Sequence, residues 1–391
     1  SEIAKKYGSL LDDDWKTLVD TDTLVDYKPA KEIGDFYDAI KEWVTDEYTH
    51  TLDGSEEQFY HEYRLGVRQF LRKYQREFNL PELSVSEWLS DPANYARPGS
   101  SDGKRLEVMV EGGQIKKARK SKWATALAMT KEEAEQSFWK WGKQTTYAIQ
   151  KRERKKVRAV LLGDNSNYLR MSYISYWYES TMRGHPNTTL WTTGEQTLAL
   201  WEKMEADTRQ NTVKCPIDES KNDHHISLRM IMIMLDEFRN YISDFAPGNM
   251  RVEMLKAMDY TKYSLNGGEV RVGSKRVPIS NGLLSGWRWT GVLNTFSMGG
   301  KIEMYRNVIH RRIGVDPVLS YIVQGDDVRT DTPSYASSVA LVSIYDETGF
   351  DVNPAKTFID ARRDEYLRLV AEPNLVTGYA ARAIPSLVFR N

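Results

Sequence analysis

The segment SYIVQGDDVRTDT, residues 320–332, sets two carboxylates, Asp326 and Asp327, side by side behind a glycine. An apolar run precedes the Gly-Asp-Asp step and a more polar one follows, so the pattern predicts a tight hairpin with both aspartates at its tip. Like charges placed together disfavour each other's ionisation unless a cation joins them. Alone, such a turn is an ordinary solvated hairpin. In company it is a seat for something strongly positive.

That company begins a hundred residues upstream. TVKCPID, residues 212–218, predicts a short strand bounded by a proline and ending at Asp218, where a helix starts. Pairing of this strand with the hairpin brings three carboxylates to one sheet edge. Hard oxygen ligands suit magnesium, which takes one or two carboxylates together with substrate phosphates. Two such ions about 3.5–4 Å apart clamp the attacking and leaving oxygens of a phosphoryl transfer.

The chain of 391 residues is long enough for a large core, in more than one lobe. It holds no apolar run long enough for a membrane span and no secretory leader pattern. Its first residue is Ser1, so a piece of a longer chain is expected. The single cysteine, Cys215, rules out an internal disulfide and a cysteine-built zinc site, and a reducing compartment fits. Net charge is −1 and the pI near 6.6, which does not announce a nucleic-acid binder. The distribution of charge says more. Residues 116–122 read KKARKSK and 151–158 read KRERKKVR.

The pattern along the chain is mainly helical. EIGDFYDAIKEWVTDEY and EEQFYHEYRLGVRQFLRKYQREF carry apolar residues at helical spacing. Residues 96–115 read as a loop, 131–150 as a helix and VRAVLLGD as a short strand. HHISLRMIMIMLDEFRNYI predicts a buried helix, its methionines core packing. LNGGEVRVGSKRVPI predicts a Gly-Gly hairpin. Helices follow over 286–312 and SSVALVSIYDETG, and EYLRLVAEPNLVTGY predicts a last hairpin. The expectation is an α+β fold with a small antiparallel sheet assembled from the second half of the chain.

Two further groups bear on function. In SGWRWTGVLNT, residues 285–295, Thr290 and Asn294 are four apart on one helical face. Their hydroxyl and amide suit a sugar hydroxyl, while Trp287, Trp289, Val292, Leu293 and Phe296 point to core. In the basic run Lys156 and Arg158 alternate, so both point from one face of a strand, suited to a triphosphate. Lys116 and Lys117 suit template phosphates or, more simply, solvent. His224 and His225 read as polar residues near the site or in the core, not as metal ligands.

The order of basic run, Asp218-x4-Asp223, SGWRWT with LNT, Gly-Asp-Asp and then a lysine resembles the viral RNA-dependent RNA polymerases. More narrowly it is similar to those of totiviruses and related double-stranded RNA viruses. The upstream segment with Lys151, Glu153, Lys156, Arg158, Asp164 and Tyr168 extends the likeness over about 151–391.

The resemblance implies a right hand of fingers, palm and thumb. Residues 1–125 would be an N-terminal helical region with part of the fingers, 126–211 fingers, 212–243 palm, 244–280 a fingers insertion and 281–391 palm. The chain stops soon after the last hairpin, so the thumb is expected to be largely absent. Asp218 and Asp326 would bind two Mg2+ or Mn2+ ions, with Asp327 in support. Asp223 would select ribose, sharing that task with Ser285, Thr290 and Asn294. Lys156 and Arg158 would line the path of the nucleotide, and Lys356 would be the general acid for pyrophosphate. Lys151, Arg154, Gly286, Lys116 and Lys117 would contact RNA. Expected partners are RNA template and product, nucleoside triphosphates and a fused or associated capsid protein, with no membrane. The expected location is the virion interior and the host cytoplasm. The rival readings are a reverse transcriptase, against which the polar ribose-facing set argues, and an inactive RNA-binding or capsid-associated protein.

Overall fold

The computed structural model describes residues 33–378 apart from 110–112, 153–156 and 355. In chain order the first part carries α1 (Ile33–Thr45), α2 (Glu56–Arg72), α3 (Val85–Leu89), β1 (Glu107–Met109), β2 (Ile115–Lys117), α4 (Lys122–Ala128) and α5 (Lys131–Phe138). Next come β3 (Thr145–Arg152), β4 (Val157–Leu162), α6 (Asn165–Thr181), α7 (Gly194–Asp207), β5 (Val213–Lys214), α8 (Asn222–His225), α9 (Leu228–Phe245) and α10 (Gly248–Leu265). The last part holds β6 (Glu269–Val272), β7 (Lys275–Pro278), α11 (Thr290–Ile313), β8 (Ser320–Gln324), β9 (Asp327–Thr332), α12 (Tyr335–Glu347), β10 (Asp364–Tyr366), β11 (Leu369–Glu372) and β12 (Leu375–Gly378).

Helix α11 is the spine. Its residues 292–305 are buried without a break, so no face of that stretch turns to solvent, as expected of a helix at the centre of a core. It crosses α2 at glycines. A Cβ on Gly66 would stand 2.2 Å from Gly300 O, and one on Gly299 would stand 2.4 Å from the Phe70 ring. Only hydrogen at these positions lets the two backbones approach so closely. The tryptophans the sequence assigned to the interior are there: Trp287 and Trp289 are buried, and their indole N–H groups donate to Gln144 Oε1 and Ser175 Oγ.

The small antiparallel sheet expected from the second half exists, in the order β5-β9-β8. α11 packs on β8, and α12 on β5 and β9. A second sheet, β4-β3-β6-β7, is mixed. In it β3 pairs in parallel with β6, joining residues 145–147 to 269–271, a long-range contact with no local signal. A third sheet, β10-β11-β12, is anchored to the first through buried Arg329 of β9. That guanidinium meets Asp364 at the start of β10 and Asp207 at the end of α7. The hydroxyls of Tyr366 and Thr189, 2.7 Å apart, add a second tie.

Four expectations need correction. The helix over 131–150 ends at Phe138, and 145–152 is strand, because Gly142 interrupts the segment and the β-branched Thr145 and Thr146 open an extended run. The loop over 96–115 contains the β1–β2 hairpin, paired from Glu107↔Lys117 to Met109↔Ile115. The hairpin over 269–278 turns after Val272, at Gly273 with φ 60, rather than at the Gly267-Gly268 pair. Helix α11 begins at Thr290, not 286, because Gly286 is held in a bridge to Leu162 of β4.

The α2–α11 crossing carries the first prediction. Gly66→Ala is expected to destabilise the fold by roughly 1–3 kcal/mol through overpacking. Gly142→Ala, which meets nothing within 4 Å, leaves stability unchanged. Thermal unfolding of the two variants against the parent measures the difference.

Candidate active site

The register of the β5-β9-β8 sheet builds the site. Val213 pairs with Thr332 and Lys214 with Asp331, and the same register continues to the bridge between Ile217 and Val328. One step further, Asp218 stands opposite Asp327. Directly opposed residues of an antiparallel pair project to the same face with Cβ atoms about 4.5–5.5 Å apart. β8 and β9 turn through Gly325 and Asp326, with Gln324 paired to Asp327. Gly325 has φ 61, the left-handed value that a two-residue hairpin with glycine first requires. Its N–H donates to Thr295 Oγ1 of α11 at 2.9 Å, which pins the turn to the spine.

The electrostatics follow from this geometry. Packing around Asp327, then the negative charges of Asp326 and Asp218, push its carboxyl up to about 6, against relief from Arg368. Solvent still reaches Asp327, so the carboxyl is crowded rather than enclosed. Asp218 is gripped by Lys356, whose Nζ lies 3.0 and 3.1 Å from its two carboxylate oxygens. The Asp218 backbone is clamped as well: its N–H donates to Thr357 Oγ1 and its carbonyl accepts from Asn353 N.

A second cluster lies beside the first. Asn294 Nδ2 donates to Asp223 Oδ1 at 3.0 Å, so α11 and α8 present an amide and a carboxylate together. Ser285 and Thr290 serve the backbone instead. Ser285 Oγ accepts from Leu161 N at 3.3 Å, and Thr290 Oγ1 donates to Leu284 O at 2.6 Å. Gly286 also has a packing role, since a Cβ there would stand 1.6 Å from Leu161 O.

The basic candidates divide. Lys116 is exposed on β2, and Lys117 lies 3.4 Å from Glu107 across the hairpin. Lys151 is exposed on β3 and pairs in register with Arg158. Arg154, Lys156 and the side chain of Arg158 lie outside the described residues. Asp164 and Tyr168 have structural work: Asp164 accepts from Asn167 N to cap α6, and the Tyr168 hydroxyl donates to Tyr95 O. His224 stacks on Trp43, and His225 packs tilted against Tyr48 with ring centroids 4.2 Å apart, in keeping with a packing role.

Sequence reasoning missed Thr295, Glu219, Asn222 and Lys301. The one signal was a charge inside an apolar run, SMGGKIEMY. Burial pushes the Glu219 carboxyl up and the Lys301 ammonium down, and each is the other's counter-charge.

Among the described residues no three acidic, histidine or cysteine side chains enclose a cation by themselves. The donor set nonetheless fits magnesium, which prefers one or two carboxylates and leaves its other positions to water and phosphate. The negative charges of Asp326 and Asp218, which add to the burial that raises Asp327, are the part of that shift a divalent cation would relieve.

A family model described as viral RNA-directed RNA-polymerase matches residues 21–391. The chain belongs to that family. Among curated proteins it is similar to the "Probable RNA-directed RNA polymerase" of Giardia lamblia virus (isolate Wang), with 27% identity over 388 residues. The match covers 96% of this chain and 19% of the relative, so the chain spans about a fifth of that protein's length. This agrees with the resemblance to totivirus polymerases. Among solved structures it is similar to the RNA-dependent RNA polymerase of a human picorbirnavirus, with TM-score 0.58 and 13% identity, covering 99% of this chain and 71% of that one. The insertion-loop deletion mutant of that polymerase gives TM-score 0.60 at 13% identity, covering 98% and 73%. The BmCPV RNA-dependent RNA polymerase at elongation state gives 0.52 at 13% identity, covering 91% and 29%. The α+β, right-hand polymerase fold expected from the sequence is therefore the fold of this family member.

The perturbed carboxyl of Asp327 makes stability depend on pH. Folded, it holds its proton to about 6; its ordinary value is 3.8. Between these values the folded chain binds more protons, so this group makes stability fall as pH rises from about 4 to about 6. Asp327→Asn is expected to abolish that part of the slope, read from denaturant unfolding near either end of the window. An unchanged slope would show that neither packing nor the neighbouring charges raise this carboxyl.

Proposed function

We propose that this chain carries the catalytic core of a template-directed RNA polymerase that replicates and transcribes a viral RNA genome by two-metal-ion nucleotidyl transfer. The observation that carries this reading is the register that sets Asp218 opposite Asp327, next to Asp326, with Lys356 on Asp218 and the Asp223–Asn294 pair alongside. The parallel β3–β6 pair supports counting 244–280 with the fingers, since it ties that segment to 126–211, while α10 also packs on α9 of the palm through the Arg239–Asp259 and Lys262–Asp236 pairs.

In the proposed reaction the 3′-hydroxyl of the growing RNA attacks the α-phosphate of a nucleoside triphosphate. A new O–P bond forms, the 3′-hydroxyl proton passes to solvent, the α–β bridge breaks, and pyrophosphate leaves. Two Mg2+ or Mn2+ ions, held by Asp218 and Asp326 with Asp327 in support, supply charge neutralisation at the attacking and leaving oxygens. The chain's own contribution is positioning and proton transfer. Lys356 passes a proton from Nζ to the departing pyrophosphate. Asp223 and Asn294 read the 2′-hydroxyl as acceptor and donor, and Ser285 and Thr290 hold the backbone that presents them. The basic strand with Lys156 and Arg158 lines the path of the triphosphate, and Lys116, Lys117, Lys151, Arg154 and Gly286 border the RNA. RNA, nucleoside triphosphates and a capsid protein are the proposed partners, in a virion core and the host cytoplasm.

Ribonucleotide incorporation on a primed template tests the reading. The parent is expected to require Mg2+ or Mn2+ and to prefer ribonucleotides to deoxyribonucleotides. Asp218→Ala and Asp326→Ala are each expected to lower kcat by about 10²–10³-fold, the scale of losing a preorganised electrostatic partner in the transition state. Asp327→Ala is expected to cost less than Asp326→Ala. Equal use of both sugars would point to a reverse transcriptase. RNA binding without synthesis under either metal would point to an inactive scaffold.

A further inference from the structure

Lys301 of α11 has no solvent exposure, and its ammonium meets Glu219, which has none either. Taking two charges out of water costs free energy that their attraction often fails to return, and apolar residues of like volume are often no worse. Glu219 Oε2 faces no hydrogen-bond donor among the described residues, so this pair is not arranged for maximal stability.

Its place in the site accounts for it better. Glu219 follows Asp218 directly, and an antiparallel bridge to Val352 fixes its place beside that aspartate. Lys301 Nζ also lies 3.5 Å from Asn222 Oδ1. Asn222 Nδ2 donates to Asn294 Oδ1 at 3.0 Å, and Asn294 Nδ2 donates to Asp223 Oδ1 at 3.0 Å. One polar chain thus runs from the neighbour of Asp218 to the sugar-reading pair. Helix α8, which carries Asn222 and Asp223, starts from Lys221 at φ 50 with no side-chain cap. The network supplies the hold that a cap does not. On its other side Lys301 faces the Phe350 ring, 4.2 Å from its centroid, so the ammonium has an aromatic wall behind it and the two oxygens in front.

We propose that Glu219 and Lys301 are positioning residues: they hold Asn222, and through it the Asp223–Asn294 pair, at a set distance from Asp218, so that reading of the sugar stays in register with the reacting phosphate. This rests on the RNA-synthesis reading above. Neither residue touches the nucleotide. Each acts on sugar selectivity through Asn222.

Two variants test it by primed-template incorporation of ribo- and deoxyribonucleotides. The double variant Glu219→Gln with Lys301→Met removes both buried charges together, and Asn222→Ala cuts the link while leaving the Glu219–Lys301 ion pair in place. Both are expected to raise KM for the ribonucleotide severalfold and to lower the preference for ribose about tenfold, the scale of a mispositioned hydroxyl contact. kcat is expected to stay within about twofold, a split that simple loss of folded protein does not produce. Should the double variant not fold, Asn222→Ala decides by itself. Unchanged sugar preference in folded Asn222→Ala overturns the proposal while leaving the RNA-synthesis reading intact. A parent that makes no RNA with Mg2+ or Mn2+ overturns both.

Discussion

Backbone hydrogen bonding between residues 213–217 and 328–332 is the constraint on which the site depends. Cys215 N donates to Thr330 O and Ile217 N to Val328 O. These bonds fix which residues of two distant segments face each other. A slip of one residue would send every side chain to the opposite face. Asp218 would leave the site, Glu219 would enter it, and the buried Lys301 would lose its counter-charge. The register is protected from such a slip on both sides. Buried Ile217 and Val328 lie on one side of the sheet edge, and the Arg329 cluster locks the strand further along.

Helix α11 converts that register into a working arrangement. From one rigid element it supplies Asn294 to Asp223, Thr295 to the Gly325 turn and Lys301 to Glu219. Asn294 and Lys301, seven residues apart, share one face, and Thr295 points about 100° round from it, so more than one face of the helix must point into protein. That is possible because α11 is surrounded, and it is surrounded because α2 approaches at Gly66, Gly299 and Gly300. The sites of closest backbone approach therefore lie on the same helix as the polar groups that serve the site.

Much of this was legible in the chain. The apolar run before Gly325, the glycine itself and the paired aspartates announced the β8–β9 hairpin. The apolar periodicity of 228–242 announced α9, and the indoles of 287 and 289 went to core as their pattern required. Thr290 was read as sugar-facing because its hydroxyl is polar, and Ser285 because the family resemblance implied it. The structure gives those hydroxyls backbone partners, a distinction that depends on which chain segment happens to lie alongside. Gly286 likewise showed its flexibility in sequence but not its reason, which is the Leu161 carbonyl against it. The β3–β6 pair was invisible, since parallel pairing of strands more than a hundred residues apart leaves no local pattern.

By itself the sequence determined the chemical inventory and its order: three aspartates in two segments, a polar helical face between them, and a lysine after them. Local periodicity is enough for that, because hairpins and helices are specified by residues a few positions apart. Only the tertiary structure decided which aspartate faces which, that Lys356 rests on Asp218, and that Lys301 is an interior charge rather than a surface one. Those facts depend on inter-strand register and on which helix covers which sheet, and these are settled by the packing of the whole core.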